Sequence, residues 1–297
     1  MRLTKDLFVA LAATALFFAG CGNSETTEDQ EDVDTTAVVS EEAEEEPAGP
    51  KPGEIPYDFP VVSTNAQAGQ TVLTPSRSFL DDAFEDPNST FIFYSSKCVE
   101  PGEAESKIQQ VSDEVMIPNS LVIPIPAGQE AQNGDILLTW WQSGSGMQRA
   151  IVVDAADPKA PVIKYLDLDN DKPEEQIEEN SFVKLSGDWE PGTIVACKDG
   201  AEYTRLQVIR IEGDKLLGKA FAGKLKVVKK ADCTPVPLQV DVKAGDEVQV
   251  PHLGSFTKGT VKSYDQKNGR VITEIEFAGE PKEIAVPVGD VMTGLAI

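Results

Sequence analysis

Ala68-Gly69-Gln70-Thr71-Val72-Leu73, Asn133-Gly134-Asp135-Ile136-Leu137-Leu138, Pro191-Gly192-Thr193-Ile194-Val195-Ala196 and Ala244-Gly245-Asp246-Glu247-Val248-Gln249 share one opening, a glycine turn running into a strand. Their glycines are 65, 58 and 53 residues apart, and self-similarity on such a scale marks a repeated supersecondary unit. The last copy reads most plainly. Residues 247–251 alternate, residues 252–259 form a polar loop, and residues 260–265 make a second strand. Asn268-Gly269 then supplies a two-residue hairpin turn before strands at 270–277 and 282–288. The third copy repeats the scheme with 205–211, a Gly213-Asp214 turn, 215–222, a Gly223 turn and 224–230. The first departs most, with an acidic loop at residues 81–86 and an insertion near 100–105. An all-β fold of tandem small barrels is expected, with modules at 61–126, 127–190, 191–240 and 241–297. A single β-sandwich whose glycine turns merely recur is the alternative.

In the second copy, Gly134-Asp135 leads through Ile, Leu, Leu and Thr to Trp140-Trp141, and Arg149-Ala150 opens a second apolar strand. That run of strand, aromatic pair, loop and strand resembles the SH3-like barrel group that includes Tudor and agenet modules. The resemblance implies a pocket lined by rings that accept cations on their negative faces, and Trp140, Trp141 and Tyr165 are the candidate ligand-binding residues. Neighbouring residues of a strand point to opposite sides. One tryptophan is therefore expected in the core and the other facing solvent or a partner.

The N-terminus carries a different message. Arg2 and Lys5 precede an apolar or small stretch at residues 7–18, too short for a membrane span of roughly 20 residues. Phe18-Ala19-Gly20-Cys21 resembles the lipobox of bacterial lipoproteins, with Phe18 where that pattern usually has Leu. The resemblance implies a signal peptide at 1–20, cleavage before Cys21, and acyl chains including palmitate on that residue. Gly22 then favours the outer membrane. Each buried methylene contributes about 0.8 kcal/mol, so several chains hold a protein where one does not.

The formal charge of −24 is concentrated after Cys21. Residues 22–60 hold thirteen Asp or Glu against Lys51 alone, and such a segment is expected to form a disordered acidic tether over 21–60. An acidic chain is also a poor match for nucleic acid. The third module is the exception, with nine Lys or Arg against five Asp or Glu in residues 191–240. Lys224, Lys226, Lys229 and Lys230 make a stripe suited to an anionic partner or to protecting an edge strand.

Catalytic signals are scarce. His252 is the only histidine, and no nucleophile elbow, phosphate loop or Cys/His metal spacing accompanies it. No catalytic residue, metal or cofactor is assigned. Asp167, Asp169 and Asp171 alternate as in a calcium loop, but Lys172 stands where the sharp turn needs glycine, so a solvated acidic loop is favoured. Export permits disulfides, and Cys197 with Cys233, at the two ends of one module, is the favoured pair, leaving Cys98 free. These readings point to a membrane-anchored, non-catalytic binding or scaffolding protein for a protein, peptide or glycan partner. An enzyme with a carboxylate site between modules and a passive spacer are the competing expectations.

Overall fold

The structure is a computed structural model describing residues 49–144 and 146–295; Cys21, the signal segment and most of the tether lie outside the described residues. The fold is all-β, built from barrel-like meanders, with a single α-helix among the described residues. One strand order recurs. In the first sheet β1 (Thr71–Pro75), β2 (Phe93–Glu100), β3 (Glu105–Gln109), β4 (Glu114–Pro118) and β5 (Ile123–Pro124) lie as β4-β3-β2-β1-β5. In the second, β6 (Ile136–Trp140), β7 (Met147–Asp154), β8 (Val162–Tyr165), β9 (Glu175–Gln176) and β10 (Val183–Lys184) lie as β9-β8-β7-β6-β10. The same order places β11 (Ile194–Asp199) between β12 (Glu202–Glu212) and β15 (Cys233–Pro235), with β13 (Lys215–Lys219) and β14 (Leu225–Lys229) beyond β12. The fourth copy runs β19 (Glu280–Pro287), β18 (Arg270–Phe277), β17 (Ser255–Asp265), β16 (Glu247–His252), and Met292 bridges to Gln249 where a fifth strand would stand. A single pairing, Thr204 with Ser255, joins the last two copies into one nine-stranded sheet.

The repeated glycines explain the repeated shape. Gly69, Gly134, Gly192 and Gly245 all have positive φ, from +79° to +100°. Each donates its N–H to the carbonyl of a residue on the second strand, respectively Cys98, Val152, Val208 and Val261. Each of those residues donates back to the residue after the glycine. A bulge follows in every case, between Cys98 and Glu100, Val152 and Asp154, Val208 and Arg210, and Val261 and Ser263. Bulges bend and twist a strand, which lets a short meander curl into a barrel.

The sheets share a core. Along β6, Ile136, Leu138 and Trp140 face one cluster with residues of all four copies, while Leu137 faces a second cluster with Ala150, Val152, Ile163 and Tyr165. The second sheet is thus apolar on both faces, so it cannot stand as an isolated bead. At Gly192 an added Cβ would lie 2.8 Å from Leu138 Cδ1, so the third copy abuts β6 where only glycine fits.

Several expectations need correction. The acidic loop at 81–86 belongs mostly to α1 (Arg77–Glu85), whose Leu80 and Ala83 are buried three residues apart while Asp81, Asp82 and Glu85 face out. The polar loop at 252–259 is a tight hairpin in which Leu253-Gly254 forms the whole turn, since His252 pairs with Ser255. Leucine at φ 51° is an improbable turn residue, and that hid it. The turn at Asn268-Gly269 is four residues long, because Asp265 pairs with Arg270. The tether boundary also moves. Ile55 and Phe59 are buried in the shared core, since their apolar side chains outweigh the surrounding Pro, Gly and acidic residues.

Candidate functional site

The two tryptophans sit at the end of β6 and serve different surroundings. Trp140 packs against the shared core and lines a groove of about 910 Å³ between the first and second copies. Tyr94 and neutral side chains of Ser95, Gln110, Gln142 and Asn180 contribute to the same groove. Val111, at the β3–β4 turn, stands fully exposed on its rim.

Trp141 belongs to the other side. Its ring rests on Gly144, where an added Cβ would come within 2.3 Å, and the Lys172 ammonium lies 4.8 Å from the ring centroid. The cation acceptor offered by the sequence is therefore filled by the same module's own lysine. A core ring paired with a solvent-facing ring was the expectation; both are instead half-buried, because apolar clusters lie on both faces of this sheet.

Tyr165 is buried and structural. Its hydroxyl accepts from the Gln142 amide at 2.9 Å and donates to the Glu175 carboxylate at 2.8 Å. Burial, opposed by the Gln142 amide and reinforced by Glu175, raises its pKa above the ordinary phenol value. Trp141 and Tyr165 share a small cavity of about 320 Å³. Trp140 is not part of it, so the three aromatics do not form one cage.

The strongest electrostatics lie where the second, third and fourth copies meet. Arg149 shares its strand face with Met147 and Ile151, yet its side chain is wholly buried. Its guanidinium donates to Asp167 at 2.7 Å, to Asp290 at 2.7 Å and to the Gly289 carbonyl at 3.1 Å. Arg205 donates to the other Asp290 oxygen at 2.7 Å. Burial opposes charge on Arg149, but the two carboxylates outweigh it and push its pKa up. Burial likewise opposes ionisation of Asp167, and Arg149 with Arg205 overcomes it, holding that carboxyl well below the usual carboxylate range. Asp167 is thus committed to guanidinium groups rather than to calcium. No cluster of three metal-ligating side chains is found among the described residues. Arg270, also buried, donates to the carbonyls of Tyr165, Leu166 and Leu168 and so fixes the segment that carries Asp167. Sequence reasoning missed this junction. The one signal was an arginine on the strand face shared by Met147 and Ile151.

Other singled-out residues fall elsewhere. The lysine stripe is divided among partners: Lys224 reaches Asn88, Lys226 reaches Asp199, and Lys230 lies over the Trp189 ring. His252 stacks edge-on against Phe277, and burial together with Lys282 lowers its pKa. Its buried Nε2 has no hydrogen-bond partner among the described residues. Cys197 and Cys233 form a disulfide between paired residues of β11 and β15, and Cys98 is a buried free thiol. No known protein family matches this sequence, and no curated protein is similar to it.

Proposed function

We propose that the chain is an exported lipoprotein, anchored through Cys21, that captures an extended peptide or glycan in the groove at Trp140. The observation that carries the reading is the groove's chemistry. An aromatic platform stands beside amide and hydroxyl side chains that both donate and accept, which suits a polar chain with alternating donors and acceptors. Modules resembling SH3-like barrels are a common host for such sites, although the fold alone would not decide it. A catalytic reading finds less support, because Asp167 and Asp290 are both taken up by guanidinium groups. Export and anchoring rest on the sequence around Cys21, and the acidic residues that follow it give the folded part reach from the membrane.

Two experiments test the proposal. Cys21→Ser should move the protein out of the membrane fraction; a variant that still matures and fractionates with membrane removes the anchor. A photo-crosslinking residue at Val111 should trap a partner in cells, whereas one at exposed Glu280, away from the groove, should not. Equal labelling at both places, or none at Val111, removes the groove.

A further inference from the structure

A second cavity, of about 560 Å³, opens beside the charged junction and owes nothing to the groove at Trp140. Its charge is out of balance. Arg149 and Arg205 are matched by Asp167 and Asp290, but two more cations, Lys219 and Arg270, line the cavity without a carboxylate within 4.0 Å among the described residues. The Arg270 guanidinium bonds only to backbone carbonyls, and the Lys219 ammonium, on a residue whose backbone is paired in the sheet, makes no side-chain hydrogen bond among the described residues. Asp169 at the mouth returns one negative charge, so the cavity keeps a net positive charge in a chain of −24. Burial disfavours the charged form of Lys219, as do Arg205 and Arg149, while Asp167 opposes them. An oxyanion at this amine would relieve that cost.

The rim adds a second kind of recognition. Phe221 is 59% and Leu253 62% exposed, and both line the cavity. They are held out by two touching turns, in which Ala222 and Leu253 carry φ values of 57° and 51° and an added Cβ on Gly254 would meet Phe221 at 2.7 Å. Left-handed backbone at non-glycine residues is costly and is retained where the surrounding structure imposes it, often at binding sites. From cationic floor and apolar rim together we infer that this cavity binds a small amphipathic oxyanion, a carboxylate carried on an apolar or aromatic body. Lys219 receives the anion, and Phe221 with Leu253 covers the body.

Titration calorimetry of the full-length protein with N-acetylphenylalanine, its neutral amide and acetate separates the two contributions. The acid should bind, and both the amide and acetate should bind at least about tenfold more weakly, the scale of one charge-assisted hydrogen bond or of a buried apolar group. Lys219→Gln should reduce acid binding by a similar factor, and Phe221→Ser should weaken it without shifting the melting temperature. If Lys219→Gln does not fold, the acid and amide on the unaltered protein, with protection of Lys219 from acylation by the acid alone, decide the matter. Equal binding of acid and amide, full affinity in Lys219→Gln, or no heat at millimolar acid would overturn the inference. Loss of crosslinking at Val111 would leave it standing, because that readout belongs to the other groove.

Discussion

The seam between the first two copies and the junction of the last three are closed by opposite means. At the first seam, Leu73, Ile123, Ile136 and Leu138 meet in the shared core, and the surface beside Trp140 is lined by serine, glutamine and asparagine together with Lys97, Asp113, Glu178 and Glu179. At the second, the buried Arg149 and Asp290 are joined by Asp167 and Arg205, whose side chains remain 23% and 22% exposed toward the neighbouring cavity. Apolar contact tolerates small shifts, and neutral polar side chains can exchange water for a ligand at modest cost. A buried ion network is less forgiving, since a guanidinium that loses its carboxylate stays charged without compensation. The first seam therefore suits the proposed capture groove, while the second fixes the relative placement of three copies and leaves only the unmatched cations beside it, Lys219 and Arg270, for the proposed oxyanion.

The largest expected effect falls at the junction. Asp290→Ala leaves Arg149 and Arg205 facing each other with one carboxylate removed, and should cost about 3–5 kcal/mol in denaturant unfolding. Asn180→Ala in the groove should stay within about 0.5 kcal/mol. Equal costs would erase the distinction between the seams.

Next in size is the disulfide of the third copy, which closes a loop with a sequence separation of 36. Cys197→Ser with Cys233→Ser should lose about 3–4 kcal/mol if loop closure dominates. Guanidinium melts with and without reductant measure it, and a loss near zero would mean that pairing of β11 with β15 suffices.

The tryptophans sharpen the comparison within one copy. Trp140→Ala and Trp141→Ala should each cost about 1.5–3 kcal/mol, less than the ~3–5 of a wholly buried aromatic, because both rings are half-buried. Only Trp140→Ala should abolish crosslinking from Val111. Loss of capture in both variants would make them parts of one pocket after all.

What was legible in the sequence follows from how local each signal is. The four glycine openings are short-range, so their spacing exposed the repeat, and every one adopts the backbone that glycine favours. The Gly213-Asp214 hairpin was equally local. The two-sided burial of the second sheet was available in the unbroken Ile136-Leu137-Leu138, since a strand facing water on one side would alternate. The junction was out of reach. Arg149 and Asp290 are 141 residues apart, and nothing in the sequence near either one names its partner. Leu253 misled for the opposite reason, because a local rule was broken where the two turns of the apolar rim touch.

The smallest expected effect concerns pH and isolates Asp167 from the rest of the junction. Its pKa is depressed in the folded protein, so its contribution to stability is complete above the unfolded value near 4 and is lost as pH falls toward the folded value. Between pH 8 and 5 the difference in unfolding free energy between the natural protein and Asp167→Asn should therefore stay constant. Below about pH 4 it should shrink, by at most about 1.4 kcal/mol per pH unit, because the unfolded chain takes up a proton that the folded one refuses. The many other acidic groups titrate in both proteins and cancel in the difference. A gap that stays constant below pH 4 as well would mean that Asp167 has an ordinary pKa, that Arg149 is satisfied by Asp290 alone, and that the junction is held by one ion pair fewer than its geometry implies.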